Sequence, residues 1–83
     1  MRIVFTTRGW EDYCSWAEDR KMLRRVNRLI DEAARDPAVG IGKPEPLSHG
    51  LAGYSSRRIT EEHRLVYGVR GDDLVIVQVR HHY

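Results

Sequence analysis

Residues 53–67 read Gly-Tyr-Ser-Ser-Arg-Arg-Ile-Thr-Glu-Glu-His-Arg-Leu-Val-Tyr. This stretch has the pattern of two β-strands joined by a polar turn near Thr60 to Glu62. Strand side chains alternate between two faces. In the second strand Leu65, Tyr67 and Val69 share one face, and Arg64, Val66 and Gly68 share the other. The segment from Leu74 to Arg80 repeats the plan, with Val75, Val77 and Val79 on one face. Gln78, Arg80 and then His82 lie on the other. The reading is of a sheet with one buried face and one cationic, functional face.

Working outward, Met1 to Thr6 carries Ile3, Val4 and Phe5 and predicts a first strand. Thr6 or Thr7 is placed to cap a helix. In that helix Trp10, Tyr13, Cys14 and Ala17 recur at i, i+3, i+4, i+7 and are expected to face the core. Glu18, Asp19 and Arg20 mark a break, and Asp19 is a cap for a second helix. Met22, Val26, Leu29, Ile30 and Ala33 form its apolar stripe, with Lys21, Arg24, Arg25 and Arg28 largely off it. Asp36-Pro37 ends it, because the residue before proline avoids the helical region. Residues 40–50 hold two prolines and three glycines, so no regular element is expected there. Pro44 and Pro46 fix φ on both sides of Glu45. Three strands follow, roughly 52–59, 63–69 and 74–80, the last two joined by a turn at Gly71-Asp72-Asp73. The order β-α-α-β-β-β with short links predicts one α+β domain over residues 1–83. An antiparallel sheet is expected, with both helices packed on one face.

At 83 residues the chain suits one small domain, and its 41% hydrophobic and 31% charged content is an ordinary globular balance. A net charge of +2 suits a nucleic-acid or acidic-protein partner. The single cysteine, Cys14, excludes an intrachain disulfide and a thiolate metal cluster; it reads as a small buried apolar residue. The N-terminus carries no signal-peptide pattern and no apolar run is long enough to span a membrane, so the cytosol is the expected compartment.

There is no glycine-rich phosphate loop and no zinc-like spacing; no metal or cofactor is expected. The residues that suggest chemistry are Glu45, Arg58, Arg64, His82 and Tyr83, with Arg57 and Arg80 near. A carboxylate, an arginine and a histidine are what metal-free RNA cleavage uses. A base takes the 2′-hydroxyl proton, a cation steadies the phosphoryl oxygens, and an acid protonates the departing 5′-oxygen. On residue types alone the set fits cleavage of RNA and equally its binding without cleavage.

Three segments carry a resemblance: Gly42-Lys43-Pro44-Glu45-Pro46-Leu47, the run Ser56 to Tyr67, and the terminal His82-Tyr83. They closely resemble the YoeB toxins of the Txe/YoeB family, within the RelE-like superfamily; Trp10, Asp12 and Tyr13 match the start of that family's first helix. The resemblance spans essentially the whole chain. It implies a RelE-like fold and a bacterial cytoplasmic toxin that cuts mRNA in the ribosomal 30S A site. It also implies neutralisation by a Phd/YefM-type antitoxin, contact with operator DNA only through that antitoxin, and possible pairing into a homodimer. The family's general base falls on Glu45, its phosphate-stabilising arginine on Arg64, its general acid on His82 and its orienting aromatic on Tyr83. Arg58, Arg57, His49, Lys43 and Arg80 are the accompanying candidates for RNA contact. The chain departs at Ser48, where relatives often have lysine, at Ser55, where tryptophan is common, and at His81, where an aromatic is common. A lost aromatic would weaken base stacking, worth about 1–3 kcal/mol per base in single-strand binders. The competing readings are a non-enzymatic RNA-binding module and a gyrase-directed toxin of the ParE type. The Pro-Glu-Pro element and the terminal His-Tyr favour the nuclease.

Overall fold

The computed structural model describes residues 1–82. Two helices, α1 (Thr7–Cys14) and α2 (Arg20–Arg35), lie between strand β1 (Arg2–Phe5) and four later strands. These are β2 (Glu45–Pro46), β3 (Tyr54–Arg58), β4 (Arg64–Arg70) and β5 (Asp73–Gln78). One sheet runs β1-β5-β4-β3-β2. The α+β class is as expected, but the sheet is mixed rather than wholly antiparallel. β1 pairs parallel with β5, while the other three pairings are antiparallel. The two helices carry the chain from β1 to the opposite edge at β2, and the antiparallel run β2 to β5 brings it back beside β1 in the parallel sense.

Both helix starts follow the local signals. Thr6 Oγ1 accepts from Gly9 N–H at 3.1 Å, and Asp19 Oδ1 from Met22 N–H at 3.1 Å. α2 stops at Arg35, ahead of Pro37. Its stripe of Val26, Leu29, Ile30 and Ala33 is buried in one cluster with Leu65, Tyr67, Leu74 and Ile76 of the sheet, and Met22 packs against that cluster. Fully burying a side chain such as Leu29 contributes about 1.5–3 kcal/mol. On the far side of the stripe Arg25 reaches down instead of into solvent. Its Nε donates to Ile59 O at 2.9 Å and its Nη2 to Arg58 O at 3.0 Å, which fastens α2 to the end of β3.

Three expectations change. First, α1 is only eight residues long, so Ala17 never joins its face. Trp10 is 52% exposed and Cys14 is exposed; in this region the buried aromatic is Trp16. The turn after α1 swings Trp16 inward, where its Nε1 donates to Val79 O at 2.8 Å. Trp10 and Tyr13 stack on each other, and Phe5 of β1 meets Trp10 edge-on and Tyr13 at a tilt. Second, residues 40–50 do contain regular backbone: Glu45 and Pro46 pair with Ser56 and Ser55 as an edge strand. Proline is tolerated there because an edge leaves one side of the strand unpaired. Third, β5 buries Leu74 and Ile76 rather than Val75 and Val77. Tyr67 pairs with Ile76 but Val66 pairs with Gln78, so Val77 is an extra residue in β5. This bulge flips the alternation. Beyond it Gln78 turns to the open face and Val79 to the core, as the alternation had suggested for those two.

Candidate active site

The open face of the sheet is ordered by strand register, because directly paired residues share a face. One row runs Glu45, Ser56, Val66, Gln78 across β2, β3, β4 and β5. The adjoining row pairs Arg58 with Arg64. Ser56, Val66 and Gln78 are buried and make a floor; Glu45 stands exposed at one end. With strands about 4.8 Å apart and about 3.3 Å per residue, the Glu45 and Arg64 backbones lie about 12 Å apart. Two long side chains span such a gap with one phosphodiester between them.

Arg64 is 7% exposed. Its Nη1 donates to Thr60 O at 2.6 Å, Glu61 O at 2.9 Å and His63 O at 3.2 Å. The β3–β4 turn therefore grips one end of the guanidinium through carbonyls. Its Nε and Nη2 make no hydrogen bond to another described residue, and neither Glu61 nor Glu62 pairs with it. Glu61 instead lies 4.0 Å from Arg58, on the surface. A cation held at one edge in this way presents its other donors in a fixed direction, which suits a bidentate grip on phosphate oxygens. Arg58 is half-buried, and its N–H donates to Gly42 O at 2.6 Å, which ties β3 to the loop that delivers Glu45.

Not every candidate joins this group. Arg57 has the opposite parity and is fully buried. Its Nε donates to Tyr67 Oη at 3.0 Å, its Nη1 to Ile41 O at 3.1 Å, and its Nη2 to Asp36 O at 2.6 Å and Val39 O at 3.0 Å. It holds the 36–42 loop and is not available to RNA. Arg80 lies over the Trp16 ring, 3.9 Å from its centroid, and donates to Ser15 Oγ at 2.9 Å. That places it on the helix side, because the chain leaves β5 at Gln78 instead of continuing as a strand. His49 is exposed in a 3₁₀ turn (His49–Leu51) of the β2–β3 connection, at the opposite end of β3 from Arg58. Lys43 is exposed two residues before Glu45 and is near the group. Ser55 pairs with Tyr67 and so faces the helix side; serine there removes no aromatic from the open face.

Sequence reasoning missed what anchors the C-terminal segment. Val79 N–H donates to Asp12 Oδ2 at 3.1 Å. His81 N–H donates to His63 Nδ1 at 2.8 Å, while His81 O accepts from Arg64 N–H at 2.9 Å and Gln78 Nε2 at 3.1 Å. His82, exposed, follows directly beside Arg64's strand. The proposed anchor at Tyr83 lies outside the described residues. Asp12 and His63 carry no local signal for this role, since their partners are distant in sequence. The His63 ring also meets Trp16 edge-on at 5.0 Å. Partial burial pushes its pKa below the usual value, opposed by Glu62 and helped by Arg80 and His81.

A sheet of this order with two helices on one face defines a RelE-like toxin domain. The YoeB/ParE toxin from Agrobacterium tumefaciens superposes with a TM-score of 0.96 at 49% identity, covering 100% of both chains. The toxin in the YoeB-YefM complex from Staphylococcus aureus does so with a TM-score of 0.90 at 41% identity, covering 100% of this chain and 98% of that one. Toxin YoeB of Streptomyces coelicolor is 63% identical over 84 residues, 100% of each chain. The family described as the YoeB-like toxin of bacterial type II toxin–antitoxin systems matches residues 5–83. The chain belongs to that family.

Proposed function

We propose that this toxin is a ribosome-dependent endoribonuclease that cuts mRNA in the A site and so stops translation. The observation that carries the reading is the shared open face of Glu45, Arg58 and Arg64, with the His81–His82 segment pinned beside Arg64. Glu45 takes the proton of the ribose 2′-hydroxyl, whose oxygen attacks the adjacent phosphorus. Arg64 steadies the negative charge on the non-bridging oxygens, and Arg58 holds the neighbouring phosphate. His82 gives a proton to the departing 5′-oxygen, and Tyr83 orients it. Acid, base and cation are all side chains, so the reaction needs no metal of its own. The products are a 2′,3′-cyclic phosphate and a 5′-hydroxyl.

A Phd/YefM-type antitoxin neutralises the toxin in the bacterial cytoplasm by covering the cationic face or displacing the C-terminal residues. The Staphylococcus aureus relative bound to YefM supports that partner. The test is purified toxin with ribosomes and a defined mRNA, mapping product ends. Removing a donor aimed at developing anionic charge lowers rates by about 10²–10³, and folded Arg64→Ala should fall in that range. Wild-type cleavage by that variant, or products with 3′-hydroxyl and 5′-phosphate ends, sinks the assignment.

A further inference from the structure

We propose that His63, acting as a hydrogen-bond acceptor, is the positioning residue that sets the C-terminal segment, and with it His82, against Arg64. The inference rests on the nuclease reading above. His81 adopts φ +65°, a backbone conformation that an L-residue holds only when its surroundings fix it. Three hydrogen bonds act on its peptide groups, and its ring also meets that of His63 at 5.4 Å. His63 Nδ1 accepts from the N–H, and Arg64 N–H and Gln78 Nε2 donate to the carbonyl. Of these three, only the contact to His63 depends on a side chain of the β3–β4 turn, the same turn whose carbonyls grip Arg64 Nη1. One turn thus orients both the phosphate-binding cation and the C-terminal segment that carries the acid.

A backbone N–H only donates, so Nδ1 must be unprotonated and a neutral His63 carries its proton on Nε2. Protonation abolishes the acceptor. Partial burial, with Arg80 and His81 on the C-terminal segment, favours the neutral ring, whereas Glu62 on the turn favours the charged one; the Trp16 edge brings no charge.

The experiment compares wild type, His63→Asn and His63→Leu. Asparagine Oδ1 occupies nearly the position of Nδ1 and accepts without titrating; leucine offers no acceptor. Cleavage on ribosomes is followed across pH, and hydrogen exchange of the His81 amide is read by NMR. His63→Leu should exchange that amide faster and lose turnover on the order of 10²-fold, the scale of a misplaced reacting group. Its half-saturating ribosome concentration should barely change. His63→Asn should restore most of the turnover and keep it to lower pH than wild type. If the leucine variant fails to fold, the asparagine arm decides. An asparagine variant as impaired as the leucine one, or one with the wild-type acid limb, overturns the clamp, as does an unaffected His63→Leu. A wild-type chain that leaves mRNA intact defeats the nuclease reading itself and this role with it.

Discussion

Replacing Arg57 by methionine should melt this domain far below wild type, although Arg57 sits in the same Arg-Arg pair as the exposed-face Arg58. The guanidinium is fully buried and makes four hydrogen bonds, three of them to carbonyls of the 36–41 loop and one to Tyr67 Oη. Hydrogen bonds from a charged donor contribute about 1.5–3 kcal/mol each. The sum overstates the loss, because the loop can open and return its carbonyls to water, and Tyr67 Oη still donates to Pro37 O. A buried acceptor left without its partner costs about 1–3 kcal/mol, so with only part of the carbonyl cluster regaining water the net loss is about 3–5 kcal/mol. A chain of this size has about 4–12 kcal/mol in total, and each kcal/mol shifts the midpoint by about 4–8 °C. Arg57→Met should therefore lower the midpoint by at least about 12 °C in a circular-dichroism melt. Arg58→Met, on the half-exposed face, should stay within about 0.5 kcal/mol of wild type. An unchanged midpoint for Arg57→Met, with RNA cleavage lost, would mean that Arg57 serves RNA rather than the loop.

Glu45→Gln should keep the wild-type melting curve, because Glu45 is exposed on an edge strand. Its single-turnover cleavage should nevertheless drop by about 10²–10⁴, the usual contribution of a general base; unimpaired cutting assigns the base elsewhere. Gly9→Ala should destabilise the fold, against the usual gain of about 1 kcal/mol for this change in a helix. The added Cβ would stand 2.3 Å from Ile76 O, a backbone atom that cannot step aside. Such overpacking costs about 1–3 kcal/mol, and a raised midpoint would refute the close approach of α1 to β5. Acid should also weaken the fold through His63, whose pKa is lowered by partial burial. Its contribution is present above the unfolded value of ~6.5 and is lost as pH falls through the lower folded value. Denaturant midpoints taken across that window should fall more in wild type than in His63→Asn; parallel curves would remove His63 from the account.

The parts of this protein that local chemistry decides were legible residue by residue. Thr6 and Asp19 cap their helices because a side-chain oxygen two or three residues upstream is all that a free N–H needs. The α2 stripe buries because 3.6-residue periodicity puts Val26, Leu29, Ile30 and Ala33 on one side. In β4, alternation by itself separates Leu65 and Tyr67 from Arg64 and Val66, and so puts Arg64 on the open face. Tertiary structure alone decided which parity β5 adopts, since both of its faces carry valines or isoleucine and one inserted residue at Val77 exchanges them. It alone decided that Arg57 and Arg80 turn away from the site, because a buried carbonyl cluster and an indole face compete with solvent for an arginine. It also paired Asp12 with Val79 and His63 with His81, 67 and 18 residues apart. Such partners are set by the order of strands across the sheet, and no pattern within a single strand or helix encodes that order.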